Sequence, residues 1–309
     1  MTVEDIETVV LASDDGLTEA TFAPTAGMVC CSLRHRGEEL LAQRGGLRAY
    51  AERGSTMGIP LLHPWANRLG HTAYGTPPHR VELDASSSLV RRDENGLPIH
   101  GVIGSSLPWR LVERPGDSGG ARLEAEMAWE APELLAVFPF PHRLRLVARL
   151  ARASLTIETT LRPTAGEPVP VCFGYHPYLT LPGSDRHAWK VELPVTRRLL
   201  LDERGIPTGD AEPFDADQFT LAESAWDDAF DGIVGARAFA VSDNRRRIEL
   251  SFLDGYPYAQ VFAPAGASFI CFEPMTAPTN ALLSGDALRL LAPGEEFRAA
   301  FRVAVHDLG

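Results

Sequence analysis

Apolar and polar residues alternate with a period of two in short segments spread along most of this sequence. In the segment 155–162 (LTIETTLR), the leucines and the isoleucine occupy odd-numbered positions, and every even-numbered position is polar. Successive side chains of a β-strand point to opposite faces of its sheet, so this pattern predicts strands with one buried face. Similar runs occur at 17–23, 28–33, 122–129, 189–193, 247–252, 258–262 and 297–305.

Turn-forming residues separate these runs. The chain has 27 glycines and 24 prolines, which leaves little room for long helices. Short helical turns are expected near 131–135 and 279–284, where Thr279 or Asn280 could cap the helix. The segment 115–120 (PGDSGG) is expected to be a hairpin loop rather than a domain boundary. Together these patterns predict an all-β protein: a large antiparallel β-sandwich of two sheets packed face to face, in a single domain spanning 1–309.

The charge of the chain excludes several classes of partner. The formal net charge is −12, and so acidic a surface repels nucleic acid and anionic membranes. It also disfavours strongly anionic substrates unless a local basic pocket compensates. No stretch approaches the ~20 consecutive apolar residues that a membrane-spanning helix needs. We therefore expect neither a nucleic-acid partner nor a membrane partner.

The cysteines and the N-terminal segment indicate the compartment. Cys30, Cys31, Cys172 and Cys271 lie in apolar runs without CxxC spacing, as expected of buried, reduced thiols. The N-terminal segment is acidic and lacks the basic region and the small-residue cleavage site of a secretory signal. We expect a cytoplasmic protein.

Two segments far apart in the sequence each place one acid–base side chain directly before a proline. His176 lies in 173–179 (FGYHPYL) and Glu273 in 272–282 (FEPMTAPTNAL). With unperturbed pKa values of ~6.5 and ~4.3, they could supply a proton donor and a proton acceptor at neutral pH without a cofactor. The prolines restrict the local backbone and favour extended conformations, which suits a rigid site at strand ends. Taken singly, each residue more often has a structural role as a buried strand-end side chain.

Two further segments offer hydrogen-bond donors. The segment 58–70 (GIPLLHPWANRLG) contains Asn67 and Arg68. The planar guanidinium of Arg68 can hold vicinal hydroxyls or a carboxylate, although an ion pair with a core carboxylate explains such an arginine equally well. In 97–104 (LPIHGVIG), His100 precedes a glycine that allows close backbone approach or an unusual turn. A lone histidine beside glycine is more often structural.

A fifth segment, 225–232 (AWDDAFDG), combines acids with aromatic rings. Acidic turns of this kind are commonly solvated loops. Aromatic rings beside carboxylates also suit a sugar site, because a ring face stacks on the sugar and carboxylates accept hydroxyl protons. The segment is compatible with both interpretations.

Taken in order, the five motifs resemble the aldose 1-epimerase (galactose mutarotase) family over residues 22–305. Each motif is weak alone, but the ordered series is specific. The segments 58–70 and 272–282 are closer to divergent bacterial branches of the family than to its galactose-specific members. The resemblance implies a β-supersandwich fold, galactose mutarotase-like, and an isomerase that interconverts the α and β anomers of an aldose.

The resemblance also implies roles for individual residues. Glu273 corresponds to the general base and His176 to the general acid. The residues that correspond to binders of sugar hydroxyls are Arg68, His100 and Asp227. The doubled acid leaves Asp228 as a competing candidate for the last of these. Further candidate substrate-binding residues, with Trp65 as an additional stacking face, are Asn67, Tyr178 and Trp226.

A mutarotase removes the proton of the anomeric hydroxyl while donating a proton to the ring oxygen. The ring opens to an aldehyde, the C1–C2 bond rotates, and the ring closes on the other carbonyl face. Two groups that exchange proton roles suffice, so we expect no metal and no other cofactor. This chemistry requires Glu273 as a carboxylate and His176 as an imidazolium, which a nearby carboxylate could favour by raising the pKa of His176.

Three alternatives remain open from the sequence. A glycoside hydrolase would use Glu273 and Asp227 as paired carboxylates. A non-catalytic sugar-binding protein would use the same segments without turnover. A metal site of His63, His100 and His176 matches no compact ligand motif. The expected partner is a small-molecule sugar, with or without a phosphate, sulfonate or other anionic group, and the chain is expected to be a monomer or homodimer.

Overall fold

A computed structural model describes residues 6–75, 78–116, 121–215, 218–235 and 238–309. Within these ranges the α-helices are α1 (Gly46–Arg53), α2 (Pro132–Val137) and α3 (Ala281–Ser284). None of the helices in these ranges is long and apolar enough to cross a membrane. The first strands in chain order are β1 (Val9–Ala12), β2 (Thr18–Ala23), β3 (Val29–His35), β4 (Glu38–Glu39), β5 (Leu61–Leu62), β6 (Ala73–Tyr74), β7 (Val81–Glu82), β8 (Val90–Arg92), β9 (Pro98–Val102), β10 (Arg110–Glu113), β11 (Arg122–Trp129), β12 (His142–Ala151), β13 (Ser154–Pro163) and β14 (Val169–Val171). The later strands are β15 (Gly174–Tyr175), β16 (Tyr178–Leu179), β17 (Lys190–Glu192), β18 (Val195–Leu201), β19 (Pro207–Pro213), β20 (Phe219–Thr220), β21 (Trp226–Ile233), β22 (Phe239–Ser242), β23 (Arg246–Asp254), β24 (Tyr258–Ala263), β25 (Ile270–Met275), β26 (Arg289–Leu291) and β27 (Phe297–Asp307).

Two large antiparallel sheets dominate the described part of the chain. The nine-stranded sheet has the order β10-β11-β12-β13-β27-β23-β22-β17-β20. The eight-stranded sheet has the order β19-β18-β21-β24-β25-β15-β5, with β16 also paired to β25. Smaller sheets are formed by β1–β4 and by the pairs β6–β7, β8–β9 and β14–β26. The prediction of an all-β, antiparallel fold is confirmed.

Aromatic side chains join the two large sheets. Phe239 on β22 packs against Phe272 on β25 with ring centroids 5.5 Å apart, and Tyr175 on β15 packs against Phe301 on β27 at 4.9 Å. All four rings are at most 1% exposed. Each contact joins a strand of one sheet to a strand of the other, so the sheets pack face to face as the alternation predicts. Because large aromatic rings bury ~150–250 Å² each, these contacts contribute strongly to the core.

The segment 155–162 shows how the alternation works. It forms most of β13, and the odd-numbered Leu155, Ile157 and Leu161 are buried as predicted. Thr159 lies on the same buried face, where its hydroxyl is 2.6 Å from the hydroxyl of Tyr175. A polar residue is tolerated on the core face there because it hydrogen-bonds across to the other sheet.

The short helical elements agree with the sequence in position but not in every cap. Helices α2 and α3 overlap the two predicted helical turns. Asn280 occupies the N-cap position of α3, but its side chain makes no capping bond. Its Oδ1 instead accepts a hydrogen bond from the backbone N–H of Gly70 at 2.7 Å. Helix α1 was not predicted, and residues 117–120 of the expected hairpin loop lie outside the described residues.

Two histidines, His63 from the segment 58–70 and His142 from β12, form a buried pair in the core. Nε2 of His63 lies 2.8 Å from Nε2 of His142, and Nδ1 of His142 donates to the carbonyl of Phe140 at 2.6 Å. His142 therefore accepts from His63 through Nε2, which requires the His142 ring to be neutral. Burial lowers the pKa of His63 well below its ordinary value and that of His142 to about 4. This contact occupies Nε2 of His63, which is one of the three histidines of the metal site considered in the sequence analysis.

The pair predicts acid-sensitive stability. Since the unfolded chain protonates these rings near pH ~6.5 and the folded chain only near pH 4 or below, the unfolded state binds more protons in between. The free energy of unfolding should be highest above this window and fall as the pH drops through it. Urea unfolding at several pH values should show that His142→Gln lowers this slope by up to about 1.4 kcal/mol per pH unit. The exposed His71→Gln is the control, and equal slopes in all three proteins would contradict the prediction.

Candidate active site

Three neighbouring strands of the eight-stranded sheet form one wall of a cleft. In their register, Gln260 on β24 lies opposite Glu273 on β25, and Asp227 on β21 lies opposite Phe262 on β24. Directly opposed residues share a face of an antiparallel sheet, so these four side chains point to the same side. Gln260 links the strands, because its Nε2 donates to Oδ1 of Asp227 at 2.7 Å.

The residues on either side of Asp227 point away from this wall, because successive strand residues alternate. Asp228 forms an ion pair with Arg198 on β18. Trp226 stacks on Phe219 with ring centroids 4.8 Å apart. Of the two acids, Asp227 therefore lines the cleft and Asp228 does not. The expectation that Trp226 presents a stacking face in the cleft is wrong for the same reason.

His176 reaches Glu273 through the pairing of a short strand. The residue lies between β15 and β16, and its backbone N–H donates to the carbonyl of Pro60 at 3.1 Å. Strand β16 pairs with β25, which carries Glu273. As a result, Nε2 of His176 lies 3.1 Å from Oε1 of Glu273.

The rings of Tyr178 and Trp65, which were predicted as stacking faces for a sugar, pack against other side chains of the protein. Tyr178 lines the cleft, but its ring stacks on His176 with centroids 4.3 Å apart and an interplanar angle of 9°. Its hydroxyl is 3.3 Å from Nε2 of His176. Trp65 is 1% exposed and packs in the hydrophobic core near Tyr74. Core packing thus accounts for Trp65, which corrects its interpretation as a stacking face.

Burial dominates the electrostatics of the His–Glu pair. Both side chains are almost fully buried, at 5% exposure for His176 and 2% for Glu273. Burial, reinforced by Asp227, raises the pKa of Glu273 well above its ordinary value. Burial, reinforced by His100 and Arg44, lowers the pKa of His176 well below its ordinary value. The expectation that a carboxylate raises the pKa of His176 is wrong, because desolvation favours the neutral form of both groups.

Arg68 is held by a buried carboxylate and points into the cleft. Its Nε donates to Oδ2 of Asp93 at 2.8 Å, and the Asp93 side chain is 1% exposed. Its Nη2 lies 3.6 Å from Oδ2 of Asp227, and its Nη1 donates to Oδ1 of Asn67 at 3.2 Å. The ion pair with a core carboxylate agrees with the structural interpretation of this arginine, and the same ion pair orients a guanidinium that lines the cleft.

His100 and Asn67 adopt left-handed backbone conformations, with φ of 64° and 53°. The two residues are joined by a backbone hydrogen bond from the His100 N–H to the Asn67 carbonyl, at 2.8 Å. The His100 ring meets His176 edge-to-face, with centroids 5.2 Å apart. Burial, with the positive charge of Arg91, lowers the pKa of His100 to about 3, so its ring is neutral. Non-glycine residues with positive φ cluster at functional sites, which agrees with the position of both residues beside the pair.

The cleft also contains residues that the sequence analysis missed. Arg44 donates through Nη1 to the Tyr178 hydroxyl at 2.8 Å and to the Thr56 carbonyl at 3.0 Å. Arg91 donates to the carbonyl of Gly54 at 3.2 Å. Neither arginine lies in a motif, and no local signal distinguishes either of them from an ordinary solvated arginine.

The cleft has a volume of about 260 Å³. Its lining combines charged, polar and a few apolar side chains: Arg44, Thr56, Asn67, Arg68, Arg91, Asp93, Glu94, Ile99, His100, His176, Tyr178, Asp227, Phe262 and Glu273. Seven of the eight predicted site residues are therefore brought together, and Trp226 is the exception.

The large antiparallel β-sandwich is the fold of solved galactose mutarotase-like proteins. A galactose mutarotase-like protein from Clostridium acetobutylicum superposes with a TM-score of 0.86 at 18% identity, covering 99% of this chain and 97% of that one. The Slr1438 protein of Synechocystis superposes with a TM-score of 0.80 at 24% identity, again covering 99% and 97%.

The chain belongs to the aldose 1-epimerase family, whose profile matches residues 11–304. Among individual proteins, the uncharacterized protein YihR of Escherichia coli is 23% identical over 259 residues, which cover 79% of this chain and 80% of that protein. The family match confirms the resemblance seen in the five motifs and implies a carbohydrate epimerase or isomerase.

The charge states of the histidines can be tested directly. At pH 6.5 we expect His176 and His100 to be neutral, because burial lowers their pKa values. The exposed His187 should be mostly protonated, because its ring nitrogens donate hydrogen bonds to the carboxylates of Asp185 and Glu223, which raises its pKa. Imidazole ¹⁵N chemical shifts of histidine-labelled protein would measure all three, with His176→Gln and His100→Gln for assignment. A midpoint for His176 near its ordinary ~6.5 would contradict the electrostatics described here.

Proposed function

We propose that the protein is an aldose 1-epimerase in which Glu273 is the general base and His176 the general acid. The observation that carries the proposal is the 3.1 Å separation between Nε2 of His176 and Oε1 of Glu273 in the cleft. The anomeric hydroxyl oxygen and the ring oxygen are bonded to the same carbon. A donor and an acceptor this close to each other can therefore serve both oxygens of one sugar at once.

The protons of the reaction balance within this pair. Glu273 takes the proton of the anomeric hydroxyl while His176 donates a proton to the ring oxygen. The C1–O5 bond breaks, the C1 carbonyl forms, and the ring oxygen becomes a hydroxyl. After rotation about C1–C2, the same two transfers run in reverse on the other face of the carbonyl, which restores the pair.

Burial fits one particular point of this cycle. The reactive state is a carboxylate with an imidazolium, and the state after ring opening is a carboxylic acid with a neutral imidazole. The pair carries the same number of protons in both states. The difference is that one proton is on His176 in the reactive state and on Glu273 after ring opening. Desolvation favours the neutral–neutral state, so the surroundings of Glu273 and His176 favour the ring-opened intermediate over the charged pair.

Other polar atoms in the cleft can hold the sugar. Among the described residues, Oε2 of Glu273, Nδ1 of His176 and Nδ1 of His100 are buried without a hydrogen-bond partner. Such atoms are costly unless a ligand or water pairs with them. Arg68 offers donors and Asp227 offers acceptors at the same wall, which suits vicinal hydroxyl groups.

We further infer a reducing compartment, the cytoplasm. The four cysteines are buried and free. The enzyme is proposed to act as a single catalytic unit, as a monomer or homodimer, on a small-molecule sugar.

Substitutions of the pair should remove most of the activity. Glu273→Gln and His176→Asn are each expected to lower kcat about 10²- to 10⁴-fold, because each removes one positioned acid–base group. NMR exchange spectroscopy of α and β anomers across a panel of aldoses measures this, after subtraction of the uncatalysed rate. Full activity in both variants, or hydrolysis of aryl glycosides without anomer exchange, would refute the proposed function.

Two adjacent acids provide a matched test of the cleft wall. Asp227→Asn should lower kcat/KM about 10- to 100-fold, since a hydrogen bond to a charged acceptor is lost. Asp228 lies on the opposite face of the same strand. The variant Asp228→Asn should therefore leave kcat/KM within a factor of about two of the wild-type value. Steady-state anomerisation kinetics of the two variants, with circular dichroism to verify folding, would decide. Equal losses in both variants would argue against this placement.

A further inference from the structure

Asn280 joins two segments of the candidate active site. It follows Glu273 in the segment 272–282, and its backbone N–H donates to the carbonyl of Arg68 at 3.0 Å. Its side-chain Oδ1 accepts a hydrogen bond from the backbone N–H of Gly70 at 2.7 Å. The two bonds reach the residues on either side of Leu69, so Asn280 fixes the main chain of the segment that carries Arg68.

These two bonds have the pattern of a parallel β-bridge. In such a bridge a residue donates its N–H to one residue of the partner segment and accepts from the residue two positions further on. Here the side-chain oxygen of Asn280 takes the place of a main-chain carbonyl. On its other side, the segment is held by a bond from the Leu69 N–H to the carbonyl of Pro98 at 2.9 Å. The main chain next to Arg68 is therefore bonded on both sides.

The backbone of Asn280 indicates that its side chain is required. With a φ of 71°, the residue is in the left-handed region, which glycine adopts without strain and asparagine tolerates better than most residues. Glycine would meet the conformational requirement but offers no acceptor for Gly70. Gly70 complements this contact, because a Cβ there would lie 3.2 Å from Oδ1 of Asn280. Position 280 thus combines a left-handed backbone with a side-chain acceptor, and such a combination at an active site points to a role there.

The same segment is tied to the strand region that precedes His176. The backbone N–H and the hydroxyl of Thr276 both donate to the carbonyl of Phe173, each at 3.0 Å. Thr276 lies between Glu273 and Asn280 in the chain. The connection from the proposed base to Asn280 is therefore itself anchored, which makes it suitable for transmitting a fixed distance.

We propose that Asn280 is a positioning residue that sets the place of the Arg68 guanidinium relative to Glu273. The proposal rests on the proposed function, in which Arg68 holds sugar hydroxyls while Glu273 reacts at C1. The Arg68 side chain is 12% exposed and its Nε is bonded to Asp93, so it has little freedom to compensate a shift of its main chain. Misplacement of a binding group by about 1 Å can cost up to about 10²-fold in rate.

Three variants separate the side chain of Asn280 from its backbone. Asn280→Gly removes Oδ1 but keeps the left-handed backbone and the N–H that donates to Arg68. Asn280→Asp keeps an acceptor for Gly70 and should behave as the wild type. Ala287→Gly is the matched control, because Ala287 is exposed, has a φ of 47° and lies outside the cleft lining.

Hydrogen exchange of the Arg68 Nε–H measures the position of this side chain without a substrate. The bond to Asp93 and burial protect this proton, and its ¹⁵N-coupled signal is assigned by its loss in Arg68→Gln. We expect Asn280→Gly to accelerate the exchange about tenfold, because an acceptor for a partly buried donor is lost. Asn280→Asp and Ala287→Gly should stay within about twofold of the wild type.

A second proton distinguishes positioning from a general loss of stability. Arg247 lies on β23 in the nine-stranded sheet, and its Nε donates to Oε1 of Glu249 at 2.7 Å. Its exchange should be the same in all variants. A variant that merely loosens the whole protein would accelerate the exchange of both arginines.

Anomerisation kinetics test whether Asn280 acts through Arg68. We expect Asn280→Gly to lower kcat/KM about tenfold in the wild-type background, but less than about twofold when Arg68→Gln is already present. An effect that is exerted through Arg68 disappears with it, whereas effects of independent residues add.

The outcomes separate this proposal from the proposed function. Unchanged exchange of the Arg68 Nε–H in Asn280→Gly, or acceleration together with that of Arg247, would overturn the positioning role whatever the activity. Equal losses of kcat/KM with and without Arg68 would also overturn it and leave the epimerase intact. If no aldose is turned over, the proposed function fails, and the exchange measurement alone decides whether Asn280 positions Arg68.

Discussion

The register between β24 and β25 is the constraint on which the rest of the site depends. It places Gln260 opposite Glu273, and the pairing of β24 with β21 then brings Asp227 onto the same face. A slip of one residue would turn these side chains to the other face of the sheet. The contact between Phe239 and Phe272 favours this register, because Phe272 lies next to Glu273 on β25 and is buried on the opposite face of the sheet.

Burial shifts the pKa values of both Glu273 and His176, and it makes the charged form of each group costly. A glutamic acid and a histidine that each titrate near ordinary values in water are shifted in opposite directions, which brings both towards their neutral forms. For an isolated buried carboxylate or imidazolium this would be a large penalty. Because the two groups face each other at 3.1 Å, one proton can move between them without changing the net charge of the site. Tyr178 holds the imidazole in the required orientation by stacking on it.

The distribution of charge separates two regions of one cleft. At one wall, Arg68 is balanced by Asp93 and Asp227. At the Thr56 end, Arg44 and Arg91 are bound only by carbonyl and hydroxyl groups of the described residues. Among the described residues, these two arginines form no ion pair with a carboxylate, unlike Arg68.

The sequence by itself determined the strands and the sandwich, and it named His176 and Glu273 as the candidate pair that the fold brings within 3.1 Å of each other. Alternation in 155–162 is a local property, and burial of Leu155, Ile157 and Leu161 follows from it. Only the tertiary structure decided that Asp227 rather than Asp228 lines the cleft and that Trp226 does not. The alternation in the sequence shows that successive residues of a strand face opposite sides of the sheet. The pairing of the strands decides which of the two sides lines the cleft.

The tertiary structure also decided the charge state of His176 and the positions of Arg44 and Arg91 in the cleft. The pKa of His176 falls because of burial and the nearby His100 and Arg44, and burial is a property of packing rather than of the FGYHPYL segment. Arg44 and Arg91 come from segments without a motif, and both line the cleft, where they donate to the carbonyls of Thr56 and Gly54. Contacts between residues distant in sequence depend on the folded chain, so no local pattern could predict them.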